Sequence, residues 1–289
     1  MEKNINELRE HIGAIKETRQ ITNAMYLLSA SRMKKIMPHV DYNREYFSRI
    51  RSAVKDILFR SPSLEHDYLR DENAIFGRRA YLILAADKGM AGGYNHNVLQ
   101  FALEKISNEE NPYIATIGIY ASEFFKKKGY PPDREFLGMA QNPSVGNSRA
   151  LKDTFFELYN HEEIGELNVI YTRFDSPVKQ YPWCVRLLPL TIADYQNVTV
   201  EYDYDRDMIY HPSPETVFFE LVPQYAVGLL YGALSQSYAS EHCARMNAMQ
   251  SATKNADDLI KKLQYAYHSA RQLGITQELT EIVAAGFDK

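Results

Sequence analysis

The sequence predicts an α/β protein in which two long helices, one from each end of the chain, pair as an antiparallel coiled coil around an inserted α/β domain. Three observations lead there. From Ser240 to Gly286 there is no proline, and small or apolar residues recur in steps of three and four. Residues 4 to about 58 carry a helical pattern of their own. Between the two lie short strand-like runs separated by helical ones, the order of a largely parallel sheet with covering helices.

The N-terminal helix comes first. Ile5, Leu8, Ile12 and Ile15 step three, four, three, and the apolar stripe then shifts to Ile21, Met25 and Leu28. Such a shift reads as a stutter-like drift of the seam, which locally changes the supercoil. Pro38 is expected to kink or interrupt this helix, because it removes a backbone donor and crowds the preceding turn. Strands follow at Tyr81–Ala86, Tyr113–Ile119, Asn168–Tyr171 and Cys184–Leu190, with Ala121–Lys128 and Ala150–Tyr159 the clearest intervening helices. Pro131, Pro132, Gly138, Pro143 and Gly146 mark a long loop. A last helix runs from about Ser213 to about Val283, with Pro223 expected to kink its first turn. Roughly 70 residues at 1.5 Å each give a helix of about 105 Å, too long for one compact domain. Its seam is Met249, Ala252, Ala256, Leu259, Leu263, Ala266, Ala270 and Leu273, and the alanines would allow close approach of a partner helix. The domains expected are a coiled-coil helix over 1–60, a small Rossmann-like α/β domain over 61–212, and a coiled-coil helix over 213–289. The alternative is that both helices fold back onto the sheet as ordinary amphipathic layers. Their length argues against it.

Composition excludes several classes. Hydrophobic residues make up 45% of the chain, enough for a real core. No run of eighteen apolar residues stands out and the opening MEKNINELRE is polar, so neither a membrane span nor export is expected. Cys184 and Cys243 are the only cysteines, which suits buried thiols in a reducing compartment. The histidines show no ligand spacing, so no metal is expected. The net charge of −4 is unevenly spread. Residues 1–60 carry 12 basic and 7 acidic side chains, residues 61–225 carry 15 and 24, and residues 226–289 carry 6 of each. A basic excess so small and so confined does not describe a nucleic-acid binder.

Nor does a catalytic motif emerge. Asp87-Lys88-Gly89-Met90-Ala91-Gly92-Gly93 follows a strand and precedes a helix, yet it is neither GxGxxG nor a P-loop. A tight turn accounts for its glycines better than a phosphate cradle does. His242 and Cys243 are adjacent, so on a helix they point about 100° apart and cannot act as base and nucleophile. Glu278 and Glu281 lie one turn apart but without pocket walls. No catalytic residue, cofactor or metal is expected.

Four stretches nevertheless carry a family resemblance. SEHCARMNAMQSATKNA followed by ARQLGITQELTEIV, from Ser240 to Val283, resembles the C-terminal helix of the gamma subunit of F-type ATP synthases. Ile15–Lys35 (IKETRQITNAMYLLSASRMKK) is similar to that family's first helix, Ala86–Asn95 (ADKGMAGGYN) to its strand-to-helix loop, and Tyr210–Pro214 (YHPSP) to the entry of its last helix. Ala91 stands where the family carries a cysteine. Pro38 and the ending Phe287-Asp288-Lys289 also depart from it.

What the resemblance implies is a central rotor: a non-catalytic shaft turning inside a ring of alpha and beta subunits. Its rotation would couple ion flow through a membrane-embedded c ring to ATP formation. Arg271, Gln272, Thr276, Glu278 and Ile282 match the segment that contacts the catalytic ring, and Met25, Arg32 and Lys35 match the first-helix level facing the beta subunit's acidic lever. Tyr210 matches the region that meets the membrane ring or the small epsilon subunit. Ile275, Leu279, Ile282 and Val283 would form an apolar tip. The resemblance further implies a peripheral position on the cytoplasmic face of a bacterial membrane, with only indirect membrane contact. Two readings from other classes are a nucleotide-binding enzyme with helical arms, which would bind nucleotide alone, and a coiled-coil scaffold, which would self-associate.

Overall fold

The computed structural model of the chain describes residues 2–61, 64, 66–69, 77–191, 195 and 210–287, with side chains described from residue 5 to residue 280. In chain order the elements are α1 (Glu2–Arg60), β1 (Arg78–Leu84), α2 (Tyr94–Ile106), β2 (Tyr113–Ile117), α3 (Ile119–Lys127), β3 (Arg134–Phe136), α4 (Val145–Asn160), β4 (Ile164–Phe174), β5 (Gln180–Leu188) and α5 (Pro214–Phe287). They form two compact units: Met1–Ser31 with Arg245–Lys289, and Arg32–Ala244. Both long helices contribute to each.

In the first unit α1 and α5 run antiparallel. Thr22 and Thr253 share a hydroxyl hydrogen bond of 2.9 Å, and Arg19 donates to Asp257 in an ion pair. Those two contacts set the register. Carried toward the α1 start, it brings Ile15 level with Ile260, Ile12 with Leu263, Leu8 with Tyr267 and Ile5 with Ala270. Burial follows the same lines: the inward positions are Ile5, Leu8, Ile12, Ile15, Thr22, Tyr26 and Ser29 on α1, and Met249, Thr253, Ala256, Ile260, Leu263, Tyr267 and Ala270 on α5.

Both seams therefore differ from the sequence reading. On α5 the line passes through Ile260 and Tyr267 rather than Leu259 and Ala266, and Leu259 is 45% exposed. On α1 the three-four stepping never drifts. Past exposed Arg19 it continues through Thr22, Tyr26 and Ser29, leaving Ile21, Leu27 and Leu28 more than half exposed. Around Thr22 the α1 side of the seam is partly polar while aliphatic Ile21, Leu27 and Leu28 lie outside, and α5 meets it with Thr253 between buried Met249 and Ala256. The magnitudes matter. Two half-buried aliphatic side chains at one level contribute about 2 kcal/mol together. A neutral hydrogen bond contributes about 1 kcal/mol and an exposed ion pair less. The polar level holds the helices together less strongly than its apolar neighbours do.

The second unit is a three-layer sandwich. Its five-stranded sheet has the order β3-β2-β1-β4-β5, parallel except for β5, which returns antiparallel to β4. Alternation along β1 splits its side chains between two cores. Leu82 and Leu84 join Ala115, Val169, the α4 residues Phe155 and Tyr159, and buried residues of α1 and α5 such as Val54, Phe218 and Leu230. Tyr81 and Ile83 face the other way, onto Val98 and Ile106 of α2 and Phe125 of α3. The expected strands are present with shifted ends. β4 is much longer than Asn168–Tyr171, because its polar residues Glu166 and Asn168 are buried as a hydrogen-bonded pair (2.6 Å) instead of ending the strand. The loop expected between Pro131 and Gly146 contains the edge strand β3 and a 3₁₀ turn at Met139–Gln141, and Gly146 lies in the first turn of α4.

Neither proline breaks its helix. Pro38 lies inside α1, and Pro223 lies inside α5 beyond its first turn. In each case the residue four positions earlier, Lys34 or Phe219, is exposed. The carbonyl left without a donor thus sits on the watered side. Buried Ile36 and Val40 hold α1 from the opposite side of Pro38. By length and composition α5 also holds an 18-residue window apolar enough to cross a membrane. More than half of that window is buried within the protein, as in a core helix.

Candidate functional site

The crevice outside the carboxyl ends of parallel strands is where folds of this kind bind ligands, at the point where strand order reverses. Here that point lies between β1 and β4. The loop after β1 is held from several sides. Asp87 accepts from the backbone N–H of Ile119 (3.1 Å) and from the Gln141 amide (3.1 Å), while Asn95 Oδ1 accepts from the N–H of Ala86 (2.9 Å). Gly118, at φ +95°, lies so close to the neighbouring backbone that a Cβ there would sit 2.2 Å from the Ala85 carbonyl oxygen.

α5 fills what remains. Ala244 packs on Ala86, Ala91 and Tyr94. The N–H of Thr172 donates to the Ser237 hydroxyl (3.3 Å), that of Phe174 donates to Gln236 (3.4 Å), and the Ser240 hydroxyl donates to the Thr172 carbonyl (3.4 Å). A residual void of about 10 Å³ among Leu84, Ala85, Tyr94, Ile117, Leu234 and Glu241 has room for no more than a water. The chain's own helix occupies the place where a nucleotide would bind. Ala91 is buried in that packing.

The other chemical candidates are structural. His242 is buried edge-on against Tyr238, with ring centroids 4.4 Å apart. Cys243 is buried with Sγ 3.4 Å from the Pro177 carbonyl, and burial pushes its thiol pKa up. Burial raises the Cys184 thiol to about 11. Among the described residues no group of three His, Cys, Asp or Glu is placed to hold a metal. A groove of about 660 Å³ lies between α1, α4 and α5, lined by Tyr42, Tyr46, Arg149, Lys152 and Tyr231, with the Tyr231 hydroxyl 3.2 Å from His39 Nδ1. It is open, and its Tyr231–His39 pair is exposed to solvent.

The contact residues expected from sequence are spread along the helices. Arg271, Gln272, Thr276 and Glu278 are all exposed on α5 in the first unit, where the Thr276 hydroxyl only back-bonds to the Gln272 carbonyl (2.9 Å). Leu273, Ile275 and Leu279 are exposed aliphatics on the same stretch of α5. Ile282 and Val283 continue α5, but their side chains lie outside the described residues. Met25 is half-buried on α1 in the first unit, and Arg32 and Lys35 belong to the second. Tyr210 packs half-buried against the main core, its hydroxyl raised in pKa by burial first and by Asp56 second. Sequence reasoning missed the outward Leu27 and Leu259, because apolar spacing alone assigned Leu259 to the seam.

Comparison with known proteins covers nearly the whole chain. The family model described as ATP synthase matches residues 4–287. An ATP synthase gamma chain of Acetivibrio thermocellus is 40% identical over 96% of this chain and 97% of its own. A sodium ion specific ATP synthase gamma chain of Acetobacterium woodii is 32% identical, with 98% of each chain covered. In three dimensions the chain resembles one in the OSCP/F1/c-ring part of the Euglena gracilis mitochondrial ATP synthase, with a TM-score of 0.65 at 18% identity over 99% of this chain and 94% of that one. On its sequence and over its full length, this chain belongs to the ATP synthase gamma-chain family.

Proposed function

We propose that the chain is the central rotor shaft of an F-type ATP synthase, a subunit with no catalytic site of its own. The observation that carries this reading is the end of α5. Exposed Leu273, Ile275 and Leu279 stand beside exposed polar Arg271, Gln272, Thr276 and Glu278. Such a helix end is a poor surface for a free monomer and a good bearing inside an apolar sleeve. The plugged crevice supports the second half of the reading, since it leaves no room for nucleotide chemistry.

Coupling follows from asymmetry. A single shaft facing three equivalent catalytic subunits presents a different side to each. It biases each toward a different conformation, and a third of a turn exchanges the three states. Only differential contact energy between the shaft and the open and closed forms of its partners is required. Arg271, whose planar guanidinium can grip a carboxylate with two hydrogen bonds, is the transmission residue on α5, with Gln272, Thr276, Glu278 and Ile282 around it. Met25, Arg32 and Lys35 face the beta subunits' acidic lever from α1. At the other end the α/β domain and Tyr210 meet the c ring and the epsilon subunit, so the protein sits peripherally on the cytoplasmic face of the cell membrane.

The test is reconstitution. With alpha and beta subunits the chain should assemble at one copy per three beta subunits and be required for ion-driven ATP synthesis. Alone it should show no calorimetric binding of Mg-ATP. A dissociation constant of about 10 μM or tighter for the isolated chain, abolished by replacing Lys88, would favour the nucleotide-binding enzyme instead.

A further inference from the structure

The partly polar level of the α1–α5 pair has a mechanical consequence. Where Thr22 meets Thr253 and Arg19 meets Asp257, the helices are joined by one neutral hydrogen bond and one ion pair whose side chains are about 40% exposed, with only the small side chain of Ala256 buried beside them. Toward the start of α1 the seam becomes aliphatic, with Ile15, Ile12 and Leu8 level with Ile260, Leu263 and Tyr267. Packed aliphatic levels resist separation and rolling through many short contacts, whereas two polar contacts can each exchange for water at little cost. Both threonine hydroxyls also have a second partner within their own helix. The Arg19 carbonyl lies 3.0 Å from the Thr22 hydroxyl and the Met249 carbonyl 2.9 Å from that of Thr253, so whichever hydroxyl donates across the pair has an alternative acceptor in its own helix. Losing the cross-helix bond therefore strands neither hydroxyl.

We propose that the level formed by Arg19, Thr22, Thr253 and Asp257 is a compliant joint, at which the two helices shift against each other more readily than at the aliphatic levels nearer the tip. The exposed Ile21, Leu27 and Leu28 fit this role, since apolar surface left outside the pair adds nothing to its cohesion. Joined to the rotor reading, on which its purpose rests, the joint is where torque would be taken up between the lobe end and the tip. As a property of the isolated chain it stands independently of that reading.

The experiment uses the full-length chain with Cys184 and Cys243 replaced by serine. Spin labels go on exposed Asn23 and Ser251 across the joint and, as a control, on exposed His11 and Gln264 nearer the tip. Thr22→Val together with Thr253→Val makes the level aliphatic at nearly constant volume. The distance distribution across the joint should narrow while that nearer the tip stays unchanged. Amide exchange around residues 19–22 and 253–257 should slow by on the order of tenfold, a factor that corresponds to about 1.4 kcal/mol of added local stability. Thr253→Val alone should give an intermediate effect, which keeps the test decisive if the double variant folds poorly. An unchanged distribution across the joint would overturn the proposal. A second distance population in the valine variant would also overturn it, because the threonine pair would then be a register pin. Loss of ATP synthesis with an unchanged joint would bear on the rotor reading alone.

Discussion

Gly118→Ala tests the close packing of the β1 and β2 ends most directly. Gly118 has φ +95° and ψ +141°, a combination that only glycine adopts freely, so an L-residue there costs on the order of 1–3 kcal/mol. The added Cβ would also lie 2.2 Å from the Ala85 carbonyl oxygen and 2.8 Å from its carbon, both main-chain atoms of the β1 end. Relieving that overlap means moving a strand end packed under α5, which adds about 1–3 kcal/mol. The total is about 2–6 kcal/mol. Gly129 supplies the control. It has φ +84°, yet a Cβ there meets nothing within 4 Å, so Gly129→Ala should cost only the backbone term of about 1–2 kcal/mol. Trp183, the single tryptophan, reports unfolding of the same unit from β5. With a urea m-value of about 2–3 kcal/mol/M, the Gly118 variant should unfold about 1 M below the Gly129 variant. Equal midpoints would mean that the β1 and β2 ends can separate freely, and the reading of Gly118 as a close-packed backbone contact would fail.

Three further outcomes follow from the geometry. Cysteines at Ile15 and Ile260, in a background lacking Cys184 and Cys243, should form a disulfide faster than cysteines at Ile15 and Tyr267; the reverse order would refute the register. Arg271→Glu should leave the urea midpoint nearly unchanged, since the residue is exposed, and lower ion-driven ATP synthesis by the assembled complex on the order of tenfold; wild-type synthesis at normal subunit content would remove Arg271 from the transmission. Alkali should weaken the α/β unit. Burial raises Cys184 to about 11 and Tyr171 to about 12, so between about pH 9 and 12 the unfolded chain binds fewer protons than the folded one and stability falls as pH rises. Cys184→Ala should remove the earlier part of that fall, and a urea midpoint that is flat from pH 8 to 11 would contradict it.

The fold was readable wherever sequence pattern and burial coincide. Tyr113–Ile117 is apolar except for one threonine and is buried throughout, as a central parallel strand should be. α5 announces itself by the lack of proline after Pro223. The ends of elements were less legible for reasons that belong to tertiary structure. Glu166 looks like a strand terminator, but hydrogen bonding to Asn168 lets β4 run beneath it. Arg134–Phe136 gains its strand conformation by pairing with Ala115–Ile117, which no local signal among the surrounding prolines could announce. The plug in the crevice was hidden too. SEHCAR reads as an ordinary helical stretch, and only the fold brings Ala244 onto Ala86 and Ala91.

The misread seams have a common cause that bears on function. Apolar spacing finds the buried line of a helix pair on the assumption that the more apolar stripe faces inward. At the level of Thr22 the assumption fails on α1, where the inward line holds Thr22, Tyr26 and Ser29 while Ile21, Leu27 and Leu28 lie outside. It fails again on α5 at Leu259 and Leu273. A free-standing coiled coil gains nothing from this inversion, because exposed aliphatics promote aggregation and buried polar groups weaken cohesion. A shaft enclosed by other subunits gains on both counts. Its outer aliphatics become contact surface, and its partly polar seam allows the helices to adjust to one another as the surroundings change. On that argument the scaffold reading is the weaker one, since self-association through the seam would bury the wrong stripe.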